Sequence, residues 1–142
     1  MFQYTYPRPA VTVDALVRGQ RGGADYLVLI RRKNPPFENQ WALPGGFVDM
    51  DETLEEAVVR ELKEETGLVC KHLKQFKSYS AIDRDPRGRT ISVVFSACLT
   101  DTPEIAGGDD AREARWFPVT ELPALAFDHQ QIVDEFLTTN QA

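Results

Sequence analysis

Thr53-Leu54-Glu55-Glu56-Ala57-Val58-Val59-Arg60-Glu61-Leu62-Lys63-Glu64-Glu65-Thr66-Gly67 is the most strongly patterned segment of the chain, and the rest of the architecture is laid out around it. Thr53 followed by Glu56 is a capping-box pattern, in which hydroxyl and carboxylate satisfy the first free amides of a helix, and Gly67 stands where a left-handed closing residue belongs. The spacing predicts a helix over 53–66. On a wheel of about 100° per residue, Val58, Val59 and Leu62 mark the apolar face, while Glu61 and Glu65 fall within about 20° of Leu54 on its two sides. Glu64 lies about 60° beyond Glu61, so three carboxylates share one strip beside the packing face. Like charges three and four residues apart disfavour a helix, and partial burial raises the cost, so the strip needs a compensating cation. The bland alternative is a solvated acidic edge screened by Arg60 and Lys63.

Outward from this helix, turn-forming clusters are short and evenly spread, as in one α/β domain over residues 1–142. Val11 to Val17 and Tyr26 to Ile30 read as strands joined by a hairpin-like loop, Gly19 to Gly23. Two prolines make Lys33 to Asn39 a loop, and a short Trp41-Ala42-Leu43 segment precedes Pro44-Gly45-Gly46. Further strands are expected near Cys70 to Tyr79, Ile91 to Leu99 and Ala114 to Phe117. A closing helix near His129 to Leu137 has Asp128 as its expected N-cap and Ile132, Val133, Phe136 and Leu137 on one face. The expected fold class is therefore α/β, two helices on a mixed sheet.

At 142 residues, with 42% hydrophobic and 27% charged, the chain can bury a real core but not two ordinary ones. A formal net charge of −6 argues against general binding to nucleic acid or an anionic membrane surface, and an acidic protein that handles phosphates needs cations or a local basic patch. No apolar run approaches the length that spans a bilayer, and Met1-Phe2-Gln3-Tyr4 lacks a basic, then apolar, export signal. Cys70 and Cys98 carry no metal-ligand spacing and are expected as buried thiols in a reducing cytoplasm.

Gly46, Glu52 and the run Arg60-Glu61-Leu62-Lys63-Glu64-Glu65-Thr66-Gly67-Leu68 resemble the Nudix box at every defining position, preceded by Ala42-Leu43-Pro44-Gly45-Gly46. The resemblance covers nearly the whole chain and implies a Nudix-type α/β/α sandwich with a mixed β-sheet and a metal-dependent pyrophosphatase activity. Mg²⁺ prefers oxygen donors, keeps several waters and is held by a few carboxylates plus substrate phosphates, which the Glu61, Glu64 and Glu65 edge can offer. By resemblance, Glu61 and Glu65 are metal ligands, Glu64 is a ligand or base, and the carbonyl of Gly45 is a further ligand for Mg²⁺, with Mn²⁺ as a substitute. Arg60 and Glu52 are expected to hold the glutamates and the loop through ion pairs.

Tyr79 to Arg89, Gly107 to Ala111 and Leu125 to His129 resemble the ADP-ribose pyrophosphatase branch, which implies hydrolysis of ADP-ribose to AMP and ribose 5-phosphate. One subgroup of that branch carries a proline somewhat nearer the box than Pro86, the nearest one here. Arg84, Arg87 and Arg89 are the dense basic cluster of an acidic chain, suited to phosphate oxygens or else to a solvated turn. Phe37, Trp41 and Phe127 offer a stacking surface for a base, or core and partner-interface contacts. His129 reads as a helix-start residue. Asp110 and Glu113, with Asp109, are the acidic residues outside the box available as extra ligand or base.

The expected partner is a small-molecule nucleotide, with neither nucleic acid nor membrane, and a homodimer is compatible with the sequence. Two alternatives stand beside the ADP-ribose assignment: a nucleoside triphosphate housecleaning pyrophosphatase, and a non-catalytic nucleotide-sensing module of the kind coupled to a C-terminal winged helix. The few residues after Leu137 are expected to leave no room for that element.

Overall fold

The computed structural model describes residues 2–139. Within them the order is β1 (Ala10–Arg21), β2 (Ala24–Arg32), β3 (Trp41–Ala42), β4 (Gly45–Phe47), α1 (Leu54–Thr66), β5 (Lys74–Tyr79), β6 (Thr90–Cys98), β7 (Ala111–Pro118) and α2 (His129–Thr139). The strands form one mixed sheet ordered β3-β2-β1-β6-β5, with β4 pairing β1 and β7 pairing β2. β1 runs parallel to β6, and the remaining pairings are antiparallel.

The sheet is covered on both faces, so its central strand is buried almost throughout, from Thr12 to Leu16 and on to Val17. Side chains alternate across a strand. Val13, Ala15 and Val17 of β1 therefore pack with Val93 and Phe95 of β6 against Ala57, Val58 and Leu62 of α1. Leu16, Leu27, Leu29 and Val94 point the other way, onto Ile132, Val133 and Phe136 of α2. The two-helix sandwich expected from the sequence is the observed one.

Differences from the sequence expectations are local. The first hairpin turns at Gly22 and Gly23 alone, both with positive φ as a two-residue turn requires, and Gly19 stays in the strand, where a Cβ would strike Trp116. Cys70 to Leu73 is not strand, whereas β7 begins three residues earlier than expected, at Ala111. β4 is absent from the sequence expectation, because glycine-rich Gly45-Gly46-Phe47 has little strand propensity and pairs with Thr12 to Asp14 of β1, a stretch that β2, paired at Arg18 to Arg21, leaves open. Cys98 is exposed and Cys70 only half-buried, so neither is the buried thiol expected. No helix among the described residues is long and apolar enough to cross a membrane.

Candidate active site

Helix α1 is held at both ends as its sequence demands. Thr53 accepts from the amide of Glu56, the Glu56 carboxylate accepts from the amide of Thr53, and Gly67 closes the helix at φ 77°. This fixes the rotation of α1 and turns Glu61 and Glu65 inward; both are buried charged residues, at 8% and 4% exposure.

The glycines of β4 run directly beneath them. The amide of Gly45 donates to Oε1 of Glu65 at 2.8 Å. A Cβ on Gly46 would lie 2.7 Å from the Glu61 carboxylate, and one on Gly45 would collide with the carbonyl of Val13 and with Asp14. Only glycine allows this approach. Arg60 faces outward and gathers the rest of the strip: Nη1 donates to Glu61 at 2.8 Å and to Glu64 at 3.2 Å, while Nε donates to Glu52 at 2.9 Å. The scaffold expected of Arg60 and Glu52 is thus present, with Asp49 added at 3.6 Å.

Electrostatics follow burial. Desolvation raises the Glu61 carboxyl, with Arg60 pulling the other way. Among the described residues no guanidinium hydrogen-bonds Glu65; desolvation pushes it up to about 9, opposed by the Gly45 amide and reinforced by Glu61 and Asp14.

Glu61, Glu65, Gly45 and Gly46 line a cavity of about 450 Å³. The same cavity is lined by Arg32, Arg84, Arg87, Asp110, Phe127 and His129. Arg84 is nearly buried and grips Asp128 with two hydrogen bonds, Nε at 2.9 Å and Nη2 at 2.7 Å. The Asp128 side chain is thereby diverted from the capping role expected of it, although its carbonyl still accepts from the Ile132 amide at 3.2 Å in the first turn of α2. Arg87 is held by Asp85 and lies over the rings of Phe47 and Phe127, 4.8 and 5.5 Å from their centroids. Burial works to raise the Asp85 carboxyl, but the bonds from Arg87 hold it below the usual range.

The structure does not bring every candidate here. Arg89 donates to the carbonyl of Ser80 and lies outside the cavity. Trp41 packs edge-on to Phe117, and Phe37 edge-on to Phe127 from behind, so Phe127 is the aromatic of the three that reaches the cavity. Glu64 is exposed and outside the lining. Asp110 lines the cavity, tied to Asn34 at 3.3 Å, whereas Glu113 pairs with Arg115 and Arg31 away from it.

Asp14, Arg32 and Asp85 are cavity residues that sequence reasoning missed. Asp14 did leave a signal, since it is a lone carboxylate inside the apolar run Val11 to Val17. Arg32 lies over Phe127 at 5.0 Å and its pKa is lowered, by burial first and by Arg87 second.

Buried carboxylates and several guanidinium groups lining one cavity define a site for a polyanionic ligand in an α/β sandwich. The chain belongs to the NUDIX domain family, whose match runs over residues 8–137. It is 48% identical over 132 residues to an ADP-ribose pyrophosphatase of Methanocaldococcus jannaschii, covering 93% of this chain and 75% of that protein. The NUDIX domain of Shewanella oneidensis NrtR, solved in complex with ADP ribose, superposes with a TM-score of 0.86 at 31% identity, covering 94% of this chain and 90% of that one. A bifunctional NMN adenylyltransferase/ADP ribose pyrophosphatase of Francisella tularensis, solved with AMP and a manganese ion, gives 0.82 at 34% identity, over 96% of this chain and 43% of that one.

Proposed function

We propose that the chain hydrolyses the diphosphate of ADP-ribose, with water, to AMP and ribose 5-phosphate, using a divalent cation, Mg²⁺ or Mn²⁺. The observation that carries this is the shared lining of one cavity: Glu61 and Glu65 together with Arg84, Arg87 and Phe127. The likeness to an ADP-ribose pyrophosphatase and to a domain complexed with ADP ribose supports the choice of substrate.

The residues present fit the cation. Among the described residues no three acidic, imidazole or thiol side chains form a ready-made metal cluster. Two buried carboxylates, the carbonyl of Gly45 and substrate phosphates are nonetheless the oxygen-rich, partly substrate-supplied set that Mg²⁺ accepts. The bare Cα of Gly46 leaves the approach to the Glu61 carboxylate open. When bound, the cation neutralises the diphosphate and polarises water. The chain does the rest: Arg60 keeps Glu61 aimed, Gly45 holds Glu65, and the Phe127 ring with Arg87 beside it offers a flat surface to a base. Two carboxylates are the alternative proton acceptors we assign for the attacking water: Asp110, which lines the cavity, and Glu64, which lies outside the lining and is joined to Glu61 through Arg60. Two free cysteines suit the cytoplasm, a reducing compartment.

A product assay tests this. ADP-ribose should yield AMP and ribose 5-phosphate, and faster than dGTP is cleaved. Faster cleavage of dGTP would move the assignment to a nucleoside triphosphate pyrophosphatase, and binding of ADP-ribose without turnover in Mg²⁺ would make the chain a sensor.

A further inference from the structure

In the lining of the cavity, two polar atoms remain that the proposed hydrolysis does not use. Asp14 projects from β1 toward the α2 side of the sheet, where Oδ2 accepts a short hydrogen bond from the hydroxyl of Ser92 on β6. His129, the first residue of α2, accepts the Leu43 amide at Nδ1, 3.0 Å away. A ring nitrogen that accepts carries no proton, so the neutral imidazole presents its N–H at Nε2. That atom faces Oδ1 of Asp14 at 3.7 Å, beyond hydrogen-bond reach. Neither Nε2 nor Oδ1 makes a hydrogen bond among the described residues, both residues line the cavity, and their side chains are only 4% and 9% exposed.

A donor and an acceptor on largely buried side chains, each open to the cavity and standing apart, match a ligand hydroxyl, which accepts from Nε2–H while donating to Oδ1. A phosphate oxygen only accepts and is repelled by the Asp14 carboxylate; an ammonium only donates and meets the Nε2 proton. On the strength of the substrate assigned above, we propose that Asp14 and His129 form a subsite that reads a ribose hydroxyl of ADP-ribose. The pair sets specificity, rejecting a substrate that is deoxygenated or phosphorylated at that hydroxyl, because such a ligand leaves buried polar groups unmatched.

The test compares ADP-ribose with a series of analogues, each lacking one ribose hydroxyl, on the wild-type protein in Mg²⁺ and on H129N and D14N. Asn at 129 keeps an acceptor for the Leu43 amide and removes the Nε2 donor; Asn at 14 keeps size and replaces an acceptor by a donor. One analogue should lose about 10- to 100-fold in kcat/KM with the wild type. Both variants should lose a similar factor on ADP-ribose, yet match the wild type on that one analogue. A merely structural role would lower every substrate equally, and that outcome overturns the subsite. So does a wild type that treats all analogues alike, as it would if a permanent water filled the gap; this arm needs no variant to fold. In either case ADP-ribose is still cleaved and the substrate assignment stands. A wild type that leaves ADP-ribose intact overturns that assignment and the subsite with it.

Discussion

The amide of Gly45 donates to Oε1 of Glu65 at 2.8 Å, and it is the one hydrogen bond the protein gives this buried carboxyl among the described residues. One amide does not replace a hydration shell, so Glu65 is raised to about 9 from an ordinary glutamate value. A carboxyl raised on folding contributes stability that is fully present below its unfolded pKa and lost as pH climbs through its folded one. His129 is lowered, chiefly by burial, so its contribution is lost on the acid side, below the ordinary histidine pKa of about 6.5. Between pH 7 and 9 histidine therefore drops out, and the raised carboxyls, Glu65 with Glu61 beside it, carry the trend. Melting of the metal-free protein should fall by several degrees across that window, and E65Q should flatten the slope. An equally steep slope in E65Q would show that another group titrates.

Removing the cation should abolish turnover. In excess chelator, hydrolysis should drop to background and return with Mg²⁺ or Mn²⁺. E61Q and E65Q keep side-chain size and should each lower kcat at least tenfold, about 1.4 kcal/mol, with circular dichroism unchanged. E64Q and D110N then identify the proton acceptor, since the larger kcat loss should fall on the residue that takes the water's proton.

The three arginines of the basic turn should separate. R84A strips the partner from Asp128, whose side chain is only 16% exposed, and should destabilise the fold by about 2 kcal/mol. R87A removes a half-exposed guanidinium and should lower kcat/KM on ADP-ribose with little change in melting temperature. R89A should leave both within twofold or a degree or two, because among the described residues its guanidinium serves the Ser80 and Ala81 carbonyls. Equal kinetic losses in R87A and R89A would count against the cavity wall as the substrate contact.

Two glycines should behave oppositely. Gly46→Ala places a Cβ 2.7 Å from the Glu61 carboxylate and should suppress kcat while the fold survives. Gly67→Ala meets open space but sits at φ 77°, and should lower stability by about 1 kcal/mol without touching kcat. Melting curves and initial rates on the same preparations distinguish them.

Helix α1 and its charged strip were legible in the sequence because caps and helical period are local: Thr53, Glu56 and Gly67 settle where the helix starts and stops, and that settles which way Glu61 and Glu65 turn. The sandwich was implied by the family resemblance, and the unbroken buried run of β1, which a sheet covered on both faces needs, emerged only with the structure. The basic residues of the cavity lining were only partly legible. Arg84 and Arg89 are five residues apart with the same chemistry, yet one is drawn inward by Asp128, far along the chain, and the other bonds a nearby carbonyl. Which member of a basic cluster faces the cavity depends on partners that meet only after the sheet has formed. Asp14, Ser92 and His129 show the same limit: they come from two strands and a helix, and only the alternation of the sheet, with α2 laid across it, puts a carboxylate and an imidazole at one place.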